Sequence, residues 1–448
     1  MGLIHKKLFI LFALSIYILL WMLVGFFKRS INSQYYQNHI LNSNISLVLE
    51  YISKLNINLL LIDPIVLDYL FIRRLSLQKR LITFGISNES IPFLDPLFSI
   101  QNFSITLSTN IKKKSIDHIF IEYNQQIIHL AILHKQNSYF LIHKNTAQLP
   151  IDIKLSYGDT LRILEPFESV LIENKFSFPR NVSHFLWLYN TSEFIECNQN
   201  LANHMENKYS LYQNKSQLNL TILPMRTIVN ALNNLEKHHW LAGGTLLGWY
   251  RHCGLIPYTQ DMDFGLFAEE YDDSIRNYFL GNPTIYLWGT LGLVNDSLEF
   301  RLFTGSYTFD LFWAYREGNY RWYGYQINRT KYKRKIPLIR RLCSCDLFGY
   351  RFSVPCSPIN YLNNEYGYEK WKIPLEKNYT WINVKYNSIW NDISWMYAVR
   401  LYTREGKVRT DKYAIDWIAN QFNYSLKTIP TFLNISSNKS VTFLPVKN

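Results

Sequence analysis

Cysteine is scarce in this chain of 448 residues: Cys197, Cys253, Cys343, Cys345 and Cys356 are the only five, and no CxxC pair is followed by a second at zinc-binding spacing. A disulfide-built miniature scaffold and a zinc-finger module are both excluded. Cys343 and Cys356 stand 13 residues apart and could bridge in an oxidising lumen, with two buried free thiols as the equal alternative. No internal repeat is present. Charged residues are few, 18% against 48% hydrophobic, which is the composition of a folded protein rather than a disordered one. Among the charges the acidic sign is the scarcer, 34 Asp+Glu against 47 Lys+Arg. No nucleic-acid module accompanies the surplus, so it points to phosphate-bearing small ligands or lipid headgroups and not to nucleic acid.

Charge is also missing from Leu8 to Phe27, a run of 20 residues that is apolar apart from Ser15, Tyr17 and Gly25. As a helix it spans a hydrocarbon core of about 30 Å. It ends at Phe26-Phe27-Lys28-Arg29 without the small residues of a cleavage site, so an uncleaved signal anchor is expected. Lys6-Lys7 and Lys28-Arg29 nearly balance across it, and charge alone does not orient it. An anchor so near the start suits a cytosolic tip and a lumenal body, and the sequons at Asn181, Asn190 and Asn219 are compatible with that. The expected organisation is an anchor over 1–30, a polar stem over 31–45, a mixed α/β domain over 46–215, a catalytic domain over 220–402 and an extension over 403–448. The fold class is therefore α/β of the α+β kind.

Short β-rich runs bounded by turn residues, Asn58–Asp63, Ile127–Leu133 and Tyr139–Ile142, predict buried strands in the first domain but carry no chemical constellation. Near Thr221 the character changes. Met225, Ile228, Val229, Leu232 and Leu235 recur at helical spacing, with Pro224 expected near the helix start. A strand at Trp240, a tight turn at Gly243-Gly244 and a second helix over Thr245–Arg251 follow, and then strands over Asp261–Phe267, Ser297–Phe303 and Thr308–Tyr315. In Asp261-Met-Asp263 the two-residue period sets both carboxylates on one face, roughly 6–7 Å apart, while Met262, Phe264 and Leu266 face a core. Asp310 is a third acid, inside an apolar strand, where an ionised carboxylate needs something positive beside it. A hard divalent cation, Mg²⁺ or Mn²⁺, answers that need and takes carboxylates together with substrate phosphates. Gly243 and Gly244 would let backbone N–H groups approach a phosphate at the following helix N-terminus, and Arg251 could clamp a phosphate oxygen. The run Lys331–Lys335 with Arg340-Arg341 reads as a solvated face, and His238, His239 and His252 as surface or core residues.

Taken in order, Gly243-Gly-Thr-Leu-Leu-Gly248-Trp-Tyr-Arg251-His252, Ile256-Pro257 and Asp261-Met-Asp263 resemble the LicD-type branch of the DNA polymerase beta-like nucleotidyltransferase superfamily. Thr259 and Gln260 stand where the phosphocholine transferases of that branch usually carry further acids. The sparser cluster is similar to the fukutin family, as are Leu61-Ile-Asp-Pro64, Phe194-Ile-Glu-Cys197, Asp296-Ser-Leu-Glu299, Val354-Pro-Cys356, Trp371-Lys-Ile-Pro374 and Asn387-Ser-Ile-Trp390 with Ile393-Ser-Trp395.

The resemblance implies a type II Golgi membrane protein that transfers ribitol 5-phosphate from CDP-ribitol to a phosphorylated O-mannosyl glycan on an acceptor glycoprotein such as α-dystroglycan. By motif, Asp261, Asp263 and Asp310 would be metal-binding and catalytic acids, with Asp310 accepting the hydroxyl proton and Glu299 helping to place metal. Gly243, Gly244, Thr245 and Arg251 would bind donor phosphate. Two rivals stand beside this reading: a non-catalytic scaffold for related Golgi glycosyltransferases, and the same chemistry with another CDP-alcohol, glycerol phosphate or phosphocholine.

Overall fold

The computed structural model describes residues 43–71, 80–110, 114–172, 174–305, 307–327, 330–374, 386–389, 398–414 and 416–417. The apolar run Leu8–Phe27, most of the stem, Trp390, Ile393-Ser-Trp395 and the chain beyond 417 lie outside them. Among the described residues no helix is long and apolar enough to cross a membrane. The architecture is mixed α/β, with several sheets and helices in two compact units. The first takes the chain up to Lys135 with Ile142–Thr160 and Phe167–Leu186, and the second takes Gln136–Leu141, Leu161–Pro166 and the chain from Trp187.

In the first unit the chain runs through α1 (Ser43–Ser53), β1 (Leu60–Leu61), α2 (Pro64–Phe71), β2 (Leu81–Ser87), β3 (Ser104–Asn110), β4 (Ser115–Tyr123) and β5 (Gln126–Lys135). β6 (Phe140–Ile142) is divided between the units and β7 (Arg162–Leu164) belongs to the second; the first continues with β8 (Ser169–Ile172), β9 (Phe176–Pro179) and the start of α3 (Val182–Asn190). Its sheet has the order β3-β4-β5-β2-β1-β9-β8 and mixes pairings, β5 being parallel to β2 but antiparallel to β4. Near-continuous apolar runs in β2, β4 and β5 produce this, since central strands covered on both faces have no polar alternation.

The second unit opens with α4 (Gln199–Tyr209) and α5 (Lys215–Asn234). The expected helix start near Thr221 is corrected: Asn214 caps α5 by accepting from the backbone of Ser216 and Gln217, and Pro224 sits inside the helix. Pro224 removes one helical donor there, and Leu220, whose carbonyl loses that partner, is exposed to water. Residues 187–215, grouped with the first domain from sequence, pack in the second unit. Main-chain bonds between Glu193, Ile195 and Ser344, and between Asn198 and Tyr250, hold them there.

Then follow β10 (His239–Leu241), α6 (Gly243–His252), β11 (Asp261–Phe267), α7 (Asp273–Phe279), β12 (Tyr286–Leu293), β13 (Asp296–Thr304), β14 (Tyr307–Glu317), β15 (Tyr320–Ile327) and β16 (Thr330–Pro337). The chain continues with β17 (Leu342–Leu347), β18 (Tyr350–Pro355), α8 (Pro358–Tyr366), β19 (Tyr386–Ile389) and β20 (Val399–Leu401). The sheet is β19-β16-β15-β14-β13-β12-β20, with β11 added parallel to β14 and β10 antiparallel to β11. Met225, Ile228, Val229 and Leu232 of α5 lie in the core with Trp240, Phe264 and Trp313. Trp240 reaches it because Gly265, its neighbour across β10 and β11, leaves room: a Cβ there would lie 2.2 Å from the indole. Past β20 the polar-looking extension still contributes, since Ala414 and Trp417 pack on Trp288.

Two disulfides are present. Cys343–Cys356 joins the open ends of the β17–β18 hairpin, where Leu342 pairs with Pro355. Cys197–Cys253 was not foreseen: its 56-residue separation gives no local signal, and it ties the segment before α4 to the end of α6. Cys345 is a buried free thiol.

Candidate active site

The site is built on strand register. Parallel pairing of β11 with β14 sets Asp263 directly beside Asp310 and Asp261 beside Thr308. On the other flank, β13 sets Arg301 opposite Asp310. One face therefore carries the row Asp263, Asp310, Arg301 across three strands, with Asp261 and Glu299 two residues along from its ends. The opposite face of β11 holds Met262, Phe264 and Leu266, all buried as the alternation predicts.

Arg301 supplies the positive partner that the sequence reading sought for Asp310. Its Nε donates to Asp310 Oδ1 at 2.9 Å and its Nη2 to Asp310 Oδ2 at 2.8 Å, a two-pronged clasp, while Nη2 also donates to Glu299 Oε1 at 3.0 Å. Glu299 is thus engaged by the same guanidinium as Asp310. Burial, with Asp310 nearby, still pushes its carboxyl above the usual range. A signal for the clasp was present in the sequence: Thr304 pairs with Tyr307 around a tight turn at Gly305, and that register carries Arg301 to Asp310.

Asp263 has no such partner. Its carboxylate makes no hydrogen bond or ion pair among the described residues, although its backbone is held: its N–H donates to Thr245 Oγ1 at 2.7 Å, and its carbonyl accepts from Ala242 N at 3.0 Å. Burial first, and then the charges of Asp261, Asp310 and Glu365, raise its acid well above the ordinary carboxylate range. Gly243, at φ +49°, begins α6 against this carboxylate, and a Cβ there would fall 2.5 Å from Asp263 Oδ2. No side chain among the described residues caps α6, whose N-terminus carries the positive end of the helix dipole.

The profile of the LicD/FKTN/FKRP nucleotidyltransferase domain matches residues 236–357, which contain this whole row. The ribitol-5-phosphate transferase FKTN of Macaca fascicularis is 30% identical over 336 residues, 69% of this chain and 69% of that protein. The chain belongs to the fukutin family. The human FKTN is 29% identical over 336 residues with the same coverage, and an uncharacterized protein of Caenorhabditis elegans is 31% identical over 253 residues, 54% of this chain and 66% of the relative. The aligned part spans about two thirds of each of these relatives.

Within this fukutin-family site, other sequence-predicted residues take different places. Arg251 is buried, with Nη1 donating to the Trp371 carbonyl at 2.7 Å and Nε donating to His252 Nε2 at 3.0 Å, so its guanidinium fastens α6 to the chain after α8. Thr245 is buried, and its Oγ1 accepts from the Asp263 N–H. Of the two glycines only Gly243 is sterically required, since a Cβ at Gly244 would meet nothing closer than Ile256 at 3.9 Å. Asp261 is exposed and accepts from Thr259 Oγ1 at 2.6 Å. Arg334 and Glu365 were missed as neighbours of the site. Arg334 Nη1 donates to Glu365 Oε1 at 2.7 Å, and both charges act on Asp263.

The raised acid of Asp263 has a definite sign in stability. A carboxyl whose folded pKa exceeds its unfolded value of about 3.9 binds protons preferentially in the folded state, so stability is fully present below that value and is lost as pH rises through the folded pKa. Asp263→Asn is therefore expected to raise the unfolding midpoint at pH 7 in chelator, with the gain shrinking towards pH 4. Thermal unfolding across that range checks this, and an Asn variant less stable than the parent at pH 7 would show that Asp263 is already neutralised.

Proposed function

We propose that this chain is an enzyme that transfers ribitol 5-phosphate from CDP-ribitol to a hydroxyl of a phosphorylated O-mannosyl glycan, of the kind carried by α-dystroglycan, releasing CMP. The observation that carries this reading is Asp263, set beside Asp310 and Gly243 without a cation of its own. The ribitol-5-phosphate transferase activity for which the FKTN relatives are named supports the choice of transferred group.

The donor set suits a hard divalent ion. Four carboxylates, Asp261, Asp263, Asp310 and Glu299, gather here, of which Arg301 pairs with Asp310 and Glu299, and their oxygens are the ligands that Mg²⁺ or Mn²⁺ prefers. Asp261, Asp263 and Asp310 would hold the ion, which when bound neutralises diphosphate charge. The chain's own residues do the rest. Gly243 lets main chain lie against the reacting region, and the start of α6 favours anionic oxygens. The acceptor oxygen attacks the ribitol-bearing phosphorus, an O–P bond forms, and the bond from that phosphorus to the bridging oxygen breaks, so that CMP leaves with the oxygen. The hydroxyl proton passes to Asp310. Arg301 occupies one lone pair on each Asp310 oxygen, leaving another on each, and fixes the carboxylate in the plane from which it accepts.

Incubating the parent with CDP-ribitol, CDP-glycerol and CDP-choline and measuring CMP release tests both reaction and donor. CDP-ribitol is expected to be the best donor, and Asp261→Asn, Asp263→Asn and Asp310→Asn each to lower turnover at least about a hundredfold. Preserved glycan maturation with all three Asn variants, and no CMP release by the parent, would favour the scaffold reading instead.

We place the body in the Golgi lumen as a type II protein, a reading supported by the apolar run near the start and the exposure of Asn181, Asn190 and Asn219. In sealed vesicles the body should resist added protease and carry glycan that a glycosidase removes; digestion without detergent would reverse the topology.

A further inference from the structure

The first unit holds a cluster of metal-ligating side chains that the proposed transfer does not use. Asp117 lies on β4 and His134 near the end of β5. Because His118 pairs with Ala131, Asp117 and His134 both project from the face opposite His118. His143 follows β6. A carboxylate oxygen of Asp117 and a ring nitrogen from each histidine all lie within 4.8 Å of one another. His134 Nε2 is 2.9 Å from Asp117 Oδ1, and the two imidazoles meet edge to face at 4.7 Å between centroids. Asp117 is only 2% exposed, a depth at which a carboxylate needs firm positive company.

The cluster has a backing that fixes one of its members. His118 Nε2 is 2.9 Å from the His143 carbonyl oxygen, which can only accept, so Nε2 carries the proton. With His118 wholly buried and neutral, its Nδ1 accepts from His129 Nε2 at 2.9 Å, and His129 Nδ1 in turn accepts from Thr83 Oγ1 at 3.1 Å. A directed chain from Thr83 through two buried imidazoles thereby anchors the His143 main chain.

We propose that Asp117, His134 and His143 form a binding site for a zinc-class divalent cation in the first unit. Two imidazoles and one carboxylate are the mixed nitrogen and oxygen set that Zn²⁺ takes, leaving a fourth tetrahedral position open, whereas Mg²⁺ and Ca²⁺ favour oxygen alone. Zinc at about 2.0–2.2 Å from each ligand atom brings those atoms to roughly 3.3 Å apart, a rearrangement within reach of side-chain rotation. The site clamps the ends of β4 and β5 to the chain after β6.

The test uses the full-length chain, stripped with chelator, desalted and titrated with Zn²⁺ or Co²⁺ alone. The expected result is one tight equivalent of Zn²⁺ that survives in Asp263→Asn and weakens at least tenfold in both His134→Gln and His143→Gln, neither of which alters the main-chain carbonyl that His118 uses. X-ray absorption on the zinc-loaded parent, which requires no variant to fold, should show two imidazoles. Failure of the parent to bind Zn²⁺, unchanged affinity in both histidine variants, or an absorption spectrum without imidazole would overturn the proposal and leave an Asp–His ion pair.

Discussion

The chemistry of the second unit depends on one pairing, β11 alongside β14 in parallel, which holds the carboxylates of Asp263 and Asp310 as direct cross-strand neighbours. Like charges so placed repel, and the low polarity of the surroundings strengthens the repulsion. Arg301 relieves it for Asp310 by the clasp on both oxygens, but it is shared with Glu299 and does not pair with Asp263. The fold thus stabilises a surplus of negative charge at one edge of a sheet, and folding energy from the surrounding core offsets that cost. Such a surplus is of use only to something positive.

The elements around the pairing keep it from relaxing. Thr245 and Ala242 bind the backbone of Asp263 from α6, and Gly243 allows the helix start to approach within contact of the carboxylate. At its other end α6 is fastened by Arg251 to the Trp371 carbonyl and by Cys253 to Cys197. An Ala at position 243 would be strained twice, by its positive φ and by the 2.5 Å approach to Asp263. The site is therefore stiff where the donor would lie.

Much of this was legible as local pattern. Period-two alternation identified β11 and its acid face, helical spacing identified the buried stripe of α5, and the strand, glycine and helix order identified β10 and α6. What escaped was non-local. Nothing in the residues of β11 and β14, almost fifty apart, announces that they pair in parallel. The one local signal missed was the hairpin turn at Gly305, whose register brings Arg301 to Asp310, and the partner of Asp310 was sought in a metal. The basic run in β16 was misread for a related reason. Lys333 and Lys335 turn to one side, over Trp322 and Tyr320, while the alternation turns Arg334 to the other, where the buried side chain of Glu365 awaits it. Composition describes such a run as solvated, and the pleat divides it.

The central claim is that Asp263 and its neighbours hold a divalent cation against the diphosphate of a cytidine nucleotide. Calorimetric titration of CDP into the parent and into Asp263→Asn, each with Mn²⁺ and then in chelator, tests it most directly because no acceptor or turnover is required. The account predicts that CDP binds the parent only with Mn²⁺ and that Asp263→Asn, folded by circular dichroism, binds at least tenfold more weakly. CDP binding to the parent with equal affinity in chelator, or to Asp263→Asn with the parent's affinity in Mn²⁺, would contradict it.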